Sequence, residues 1–169
     1  PKAITHKAGK SDAMWVDFDR KIFARLRDLV PEAFFTSMFA GPDDTLRRRA
    51  GLLQRACILA RHGLWDDALA DCAIASKIAG EAPLHPLETA ICRRMTAGKH
   101  GFKGILDRDN AAALRSLDKN GRVGRVITAE IGRGLFWRLR KPRAGDRKSA
   151  LRVLVKWPAL ASLIKYRLF

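Results

Sequence analysis

The sequence predicts a mostly α-helical fold: a helical bundle that contains one αα-hairpin and ends in basic amphipathic helices. Apolar residues recur every three or four positions along most of the 169-residue chain, as they do on one face of a helix. Beyond the first few residues, no run of strand length alternates convincingly between apolar and polar side chains. Hydrophobic residues make up 47% of the chain, which is ample for a packed core.

The first predicted helix carries apolar residues at helical spacing and stops at Pro31; these residues are Trp15, Phe18, Ile22, Leu26 and Leu29. Asp43 and Asp44 can cap the helix that follows, and His62 with Gly63 closes it. Proline segments, glycines and an Asn-Gly turn separate the later helices. The helices after Pro31 are predicted over about 45–61, 65–78, 87–97, 110–117 and 122–140, with two further helical pieces divided at Pro158.

Residues 49–82 carry a more specific pattern of small and aromatic residues. Gly63 stands at the turn between two helices, Trp65 follows it, and the helix residues at fixed offsets are Leu52, Ala56, Leu59, Ala68 and Ala75. This pattern resembles a single tetratricopeptide repeat, although Arg55 stands where the repeat usually has leucine. Neighbouring windows of 34 residues do not match, so we expect one hairpin within a bundle rather than a solenoid. An ordinary αα-hairpin is the alternative.

Positive charge is concentrated in the second half of the chain. Residues 91–169 carry 20 Lys and Arg against 5 Asp and Glu, whereas residues 1–90 carry 13 against 12. A half-chain with a net charge of +15 predicts a polyanionic partner, either nucleic acid or the anionic face of a membrane.

The predicted helix 122–140 arranges part of this charge on one side. At 3.6 residues per turn, four of its arginines (Arg122, Arg125, Arg133 and Arg140) fall within a stripe of about 80°. Val123, Val126, Ile127, Ile131 and Leu135 line the other side. Basic residues also alternate with aliphatic ones further on, next to Trp157. The candidate anionic-surface residues are Arg122, Arg125, Arg133, Arg140, Lys148, Arg152, Lys156 and Trp157.

Two interpretations compete with membrane attachment. Leu, Val and Ile outnumber aromatic residues in these segments, which favours a lipid surface over nucleic-acid bases. Each helix alone could also be an amphipathic helix packed on the bundle with its arginines in water. The net charge of the region favours a partner over this second interpretation.

The sequence does not predict a catalytic or metal-binding site within these residues. No HExxH motif and no glycine-rich phosphate loop occurs. Cys57, Cys72 and Cys92 form no CxxC pair, so we expect buried free thiols. No apolar run reaches the roughly 20 residues that a membrane-spanning helix needs, and the first ten residues lack the pattern of a signal peptide. The expected location is cytoplasmic.

The segment ITHKAGKSDAMWVDFDRKIFARL, with His6, Lys7, Gly9 and Ser11, resembles the region that follows the catalytic core in bacterial family 2 (GT-A) glycosyltransferases. The later helical segments are similar to the C-terminal extensions of such enzymes. The resemblance implies that the chain is a C-terminal fragment of a longer enzyme. Residues 1–13 would be the tail of the catalytic domain, residues 14–117 a helical bundle and residues 118–169 a basic extension.

The same resemblance implies transfer of a sugar from a nucleotide donor to a surface polysaccharide or lipid-linked acceptor at the inner membrane. The nucleotide sugar and a divalent metal would bind upstream, and His6 is the one residue of this chain that could reach the active site. We therefore expect a segment that is not catalytic alone. A protein-binding adaptor built on the tetratricopeptide-like hairpin and a basic nucleic-acid-binding protein are the alternatives.

Overall fold

The computed structural model describes residues 17, 18, 21–40, 43–79, 82–97, 101, 102, 104, 105 and 108–140. Within these ranges the chain forms seven helices and no strand, which confirms the mostly α-helical bundle. The helices are α1 (Leu26–Leu29), α2 (Glu32–Ser37), α3 (Asp44–Arg61), α4 (Trp65–Ala79), α5 (Pro86–Arg94), α6 (Arg108–Asp118) and α7 (Gly121–Arg140).

Helices α3 and α4 form a hairpin at the centre of the core. The Asp43 carboxylate caps α3 by accepting a hydrogen bond from the Thr45 backbone N–H at 2.8 Å. Helix α3 ends at Arg61 with His62 as its C-cap, and Gly63 then turns the chain with a φ of 83°, a conformation that favours glycine. The predicted capping residues therefore lie where the helix begins and ends.

Small residues let the two helices of the hairpin approach closely. Ala56, Ala68 and Ala75 are completely buried between or beside the helices. Trp65 is also buried, and its indole N–H donates a hydrogen bond to the Gly101 carbonyl at 2.9 Å. The positions are those that the repeat-like pattern marked, while membership of the tetratricopeptide family stays a prediction.

Arg55, the departure from the repeat pattern, is buried and has a partner in the opposite helix. Its Nε and Nη2 atoms donate to the two carboxylate oxygens of Asp71 on α4, at 2.7 and 2.8 Å. The hydrogen bonds to Asp71 raise the pKa of Arg55, against the opposing effect of burial. A charged residue occupies an apolar position of the hairpin because a second charge faces it.

A second buried pair joins α3 to α5. The guanidinium of Arg49 binds both carboxylate oxygens of Glu88, with Nη2–Oε2 at 2.8 Å, and also donates to the Pro83 carbonyl at 3.2 Å. Glu88 further accepts the His85 backbone N–H at 2.6 Å, while the His85 imidazole accepts the Leu87 backbone N–H at 3.2 Å. This reciprocal capping fixes the start of α5 against α3.

Helices α6 and α7 complete the bundle by packing on α4 and α5. Val123 and the inward residues that follow it on α7 share one core with the α3–α4 hairpin. Two glycines allow the close approach: a Cβ atom at Gly124 would overlap the Leu117 carbonyl, and one at Gly134 would overlap the Arg93 carbonyl. The predicted domain boundary at residue 118 thus falls between two helices of a common core.

The bundle has two ends, which we name after the residues that define them. At the Gly101 end, Gly101 lies against the carbonyls of Ala60 and Met95, where α3 and α5 finish. At the Asn120 end, the Ser76 hydroxyl near the end of α4 donates to the Asn120 carbonyl at 3.1 Å. Helix α7 starts at the Asn120 end and reaches α5 at Gly134, towards the Gly101 end.

The N-terminal part leaves apolar side chains in contact with solvent. Phe18, Ile22 and Leu29, which the helical spacing singled out, are 52%, 49% and 69% exposed. Phe23 instead stacks on the His62 ring, with centroids 3.6 Å apart. The Phe23 ring is therefore one contact between this part and the end of α3.

We predict that Asp71→Ala lowers the free energy of unfolding by about 3–5 kcal/mol, because it leaves the Arg55 guanidinium buried without its carboxylate. The double variant Arg55→Leu/Asp71→Leu removes both charges, so it should recover most of that loss. Urea unfolding monitored by circular dichroism measures both. Equal destabilisation of the single and double variants would contradict the pairing.

We also predict that Ala68→Trp destabilises the hairpin by roughly 1–3 kcal/mol, because the larger ring overpacks the contact between α3 and α4. Ala112→Trp, at an exposed position of α6, is the matched control and should leave stability nearly unchanged. Thermal unfolding compares the two variants. Similar melting temperatures for both would mean that α3 and α4 do not meet at Ala68.

Candidate functional site

Helix α7 positions the residues that the sequence singled out as an anionic-surface site. Val123, Ile127, Ile131 and Leu135 are buried against the other helices, and Val126 is half-buried. The side of α7 that the sequence predicted to be apolar is therefore the packed side. Arg122 and Arg125 lie on the other side and are exposed.

Arg133 has different surroundings from Arg122 and Arg125. Its guanidinium pairs with Glu130, whose carboxylate is 4% exposed and also binds Arg93 of α5. Two arginines from two helices therefore enclose one buried carboxylate. This arrangement ties α7 to the end of α5 and leaves less of the Arg133 charge to a partner.

The other predicted site residues lie beyond what the structure describes. Arg140 is the last residue of α7, and its side chain is outside the description. His6 and the basic residues of the C-terminal segment also lie outside the described residues, namely Lys148, Arg152, Lys156 and Trp157. The structure therefore brings together Arg122 and Arg125 from the predicted set.

Sequence analysis missed the basic side chains that the fold places near these two arginines. Lys119 is exposed immediately before α7, and Lys77 is exposed next to Ser76 in the last turn of α4. Lys119 is close in sequence and could have been included, whereas Lys77 belongs to the near-neutral half. The packing of α4 against α6 and α7, together with the hydrogen bond between Ser76 and Asn120, shows that these segments meet.

The buried ionisable groups of the described core are committed to helix–helix contacts. Asp71, Glu88 and Glu130 each bind a guanidinium on a neighbouring helix. Carboxylates held in this way stabilise packing, because each charge is neutralised where water is absent. These ion pairs therefore have a structural role.

The three cysteines are buried free thiols, as the sequence predicted. Burial raises the pKa of the Cys57 thiol to about 11, although the charges of Arg61 and Arg94 oppose this effect. Burial likewise raises the pKa values of the Cys72 and Cys92 thiols. A thiol that keeps its proton at neutral pH is a poor nucleophile.

The described residues form a further groove at the surface. This groove of about 560 Å³ lies between α2 and α3, but its charged residues are already paired, Arg47 with Asp44 and Arg48 with Glu32. In the part of the chain that the structure describes, no group of three His, Cys, Asp or Glu side chains could hold a metal ion. No described helix combines the length and apolar composition needed to cross a bilayer.

The Cys57 pKa predicts a loss of stability at alkaline pH. Between pH 9 and pH 11 the unfolded chain releases the thiol proton that the folded chain retains. The free energy of unfolding should therefore fall by roughly 1.4 kcal/mol per pH unit for this thiol. Cys57→Ala should remove this part of the slope, measured by urea unfolding at several pH values. An unchanged slope in the variant would rule out Cys57 as a source.

The chain was compared with protein-family models, with curated proteins and with solved structures. No family model matches it, and neither a curated protein nor a solved structure matches it. The resemblances to family 2 glycosyltransferases and to the tetratricopeptide repeat therefore remain predictions from the sequence.

Proposed function

We propose that this chain is a non-catalytic helical region that attaches a membrane-associated glycosyltransferase to the anionic inner face of the membrane. The enzyme would act in the synthesis of a cell-surface polysaccharide or glycolipid. Peripheral attachment, rather than insertion of a helix, is the proposed mode. The charge distribution over the surface of the bundle carries the attachment part of the proposal.

The supporting observation is the contrast between the two sides of α7. Its aliphatic residues are buried in the bundle, so the helix is held in place without a lipid partner. Arg122 and Arg125 remain at the surface, and the region from residue 91 onwards has a net charge of +15. Each basic residue near an anionic membrane contributes about 1 kcal/mol of attraction, so a few such residues support reversible attachment.

The glycosyltransferase context rests on the resemblance of the first residues alone. It places nucleotide-sugar and divalent-metal binding in an upstream domain and leaves His6 as the residue nearest to catalysis. The buried carboxylates and thiols described above have structural surroundings, which fits a region that supports an active site elsewhere.

A protein-binding adaptor is the second candidate, and the exposed apolar residues of the N-terminal part favour it. Phe18, Ile22 and Leu29 are exposed, and their spacing in the sequence is one at which residues of a helix share a face. Nucleic-acid binding, the third hypothesis, follows from the same basic charge as membrane attachment. The experiment below separates this hypothesis from membrane attachment.

We predict that the chain binds vesicles containing about one third phosphatidylglycerol and does not bind vesicles of phosphatidylcholine alone. Binding should weaken as salt rises, because physiological salt screens exposed charges beyond about 8 Å. Trp157→Ser should weaken binding at every salt concentration, because burial of apolar area at the interface depends little on salt. Vesicle co-sedimentation measures these affinities.

The control is duplex and single-stranded DNA titrated under the same conditions. Micromolar binding to DNA together with absent vesicle binding would replace the membrane proposal by the nucleic-acid one. Absent binding to both would leave the adaptor as the candidate.

A further inference from the structure

The fold brings basic side chains of two helices, α4 and α7, and of the turn between α6 and α7 to the Asn120 end. The Ser76 hydroxyl is buried and donates to the Asn120 carbonyl at 3.1 Å, which holds the last turn of α4 against the turn between α6 and α7. Lys77 follows Ser76 directly and is exposed. A lysine from the near-neutral half of the sequence therefore joins the basic half in space.

The turn between α6 and α7 is held by its own backbone. The Lys119 N–H donates to the Ser116 carbonyl at 3.1 Å, and the Asn120 N–H donates to the Leu117 carbonyl at 3.0 Å. Gly121 then adopts a φ of 69°, which starts α7 in a new direction. Lys119 and the first arginine of α7 are thus fixed on either side of one short turn.

Four exposed basic side chains belong to this end of the bundle. We name Lys77, Lys119, Arg122 and Arg125 the basic corner; all four are exposed, and no ion pair to any of them occurs among the described residues. Asp118 is the acidic residue of the turn, and it is half-buried. All four cations therefore face solvent.

The rest of the predicted stripe does not continue this surface. Arg133 lies eleven residues beyond Arg122, which is about 16 Å along a helix axis and twice the distance over which physiological salt screens charge. Arg133 is also engaged by Glu130. Gly132 is buried although it lies well away from the core side of α7. The helix therefore does not present one continuous exposed face along its whole length.

We infer that the basic corner is the part of the bundle that contacts the phosphate groups of anionic lipids, which adds Lys77 and Lys119 to the surface. The inference rests on the proposed function. The membrane contact is then at the Asn120 end of the bundle rather than along the length of α7. The bundle then meets the membrane at the end where α7 begins.

The surroundings of the corner favour lipid over single-stranded nucleic acid. Sites for single strands add aromatic rings on which the bases stack. Among the described residues, the exposed phenylalanines are Phe18 and Phe34, and neither belongs to α4, α6 or α7. Attraction by lysine and arginine is the mode expected at a charged lipid surface.

The test compares two matched pairs of exposed arginines at opposite ends of the bundle. Arg122→Gln/Arg125→Gln alters the corner, and Arg61→Gln/Arg94→Gln alters exposed arginines at the Gly101 end that likewise have no ion pair among the described residues. Binding is measured on the phosphatidylglycerol vesicles defined above, with circular dichroism to confirm folding. The corner pair should weaken binding on the order of thirtyfold and the control pair less than about threefold.

Further variants separate charge from shape. Arg122→Lys/Arg125→Lys keeps both charges and should bind like the wild type. Lys77→Gln should weaken binding on the order of fivefold, because it removes one cation from the same surface. A wild-type affinity for Lys77→Gln would remove this lysine from the contact.

Failure of the inference and failure of the proposed function are distinguishable. If the wild type binds vesicles and both arginine pairs weaken binding equally, or the control pair weakens it more, the corner is wrong and membrane attachment stands. If the wild type does not bind vesicles at all, the proposed function is wrong and the inference falls with it.

Discussion

The bundle depends on two arginines that lie inside it. Arg49 and Arg55 both belong to α3, yet each points to a different neighbour, Glu88 on α5 and Asp71 on α4. A guanidinium can be buried only when its partner is in place, since an unpaired charge in the core is strongly destabilising. Placing α3 therefore fixes α4 and α5, and α6 and α7 then pack on these two helices.

A third buried carboxylate, on α7, also pairs with arginine, and it influences which arginines of α7 stay exposed. Glu130 holds Arg133 of α7 together with Arg93 of α5, so this part of α7 serves packing. At the other end, Gly124 lets α7 lie against Leu117 and the chain turns sharply, which leaves Arg122 and Arg125 exposed. The arginines at the start of α7 are thus exposed and Arg133 further along is paired, according to what lies beside each.

The helices and several of their ends could be predicted because local residues determine them. Asp43, Gly63 and Gly121 act through capping or positive φ, and these effects need no knowledge of the rest of the fold. The buried ion pairs could not be predicted in this way. Arg55 and Asp71 are 16 residues apart, and a charged residue in a helix is usually solvated.

Contacts between helices also determine which basic residues share one exposed surface. Spacing alone put Arg133 with Arg122, because residues on one side of an isolated helix have equivalent surroundings. The neighbouring helix α5 makes them different. Lys77 could not be assigned to the same surface from the sequence, since its placement depends on the contact between Ser76 and Asn120.

Because the ion pairs are buried, ionic strength should affect binding to a charged surface and the stability of the bundle differently. Salt acts on charges that water reaches and has little effect on pairs enclosed in the core, such as Arg49 with Glu88. Raising the ionic strength should thus dissociate the bundle from a charged surface while its helices stay assembled. Under the proposed attachment, the chain would leave and return to the surface as an intact folded unit, without passing through an unfolded state.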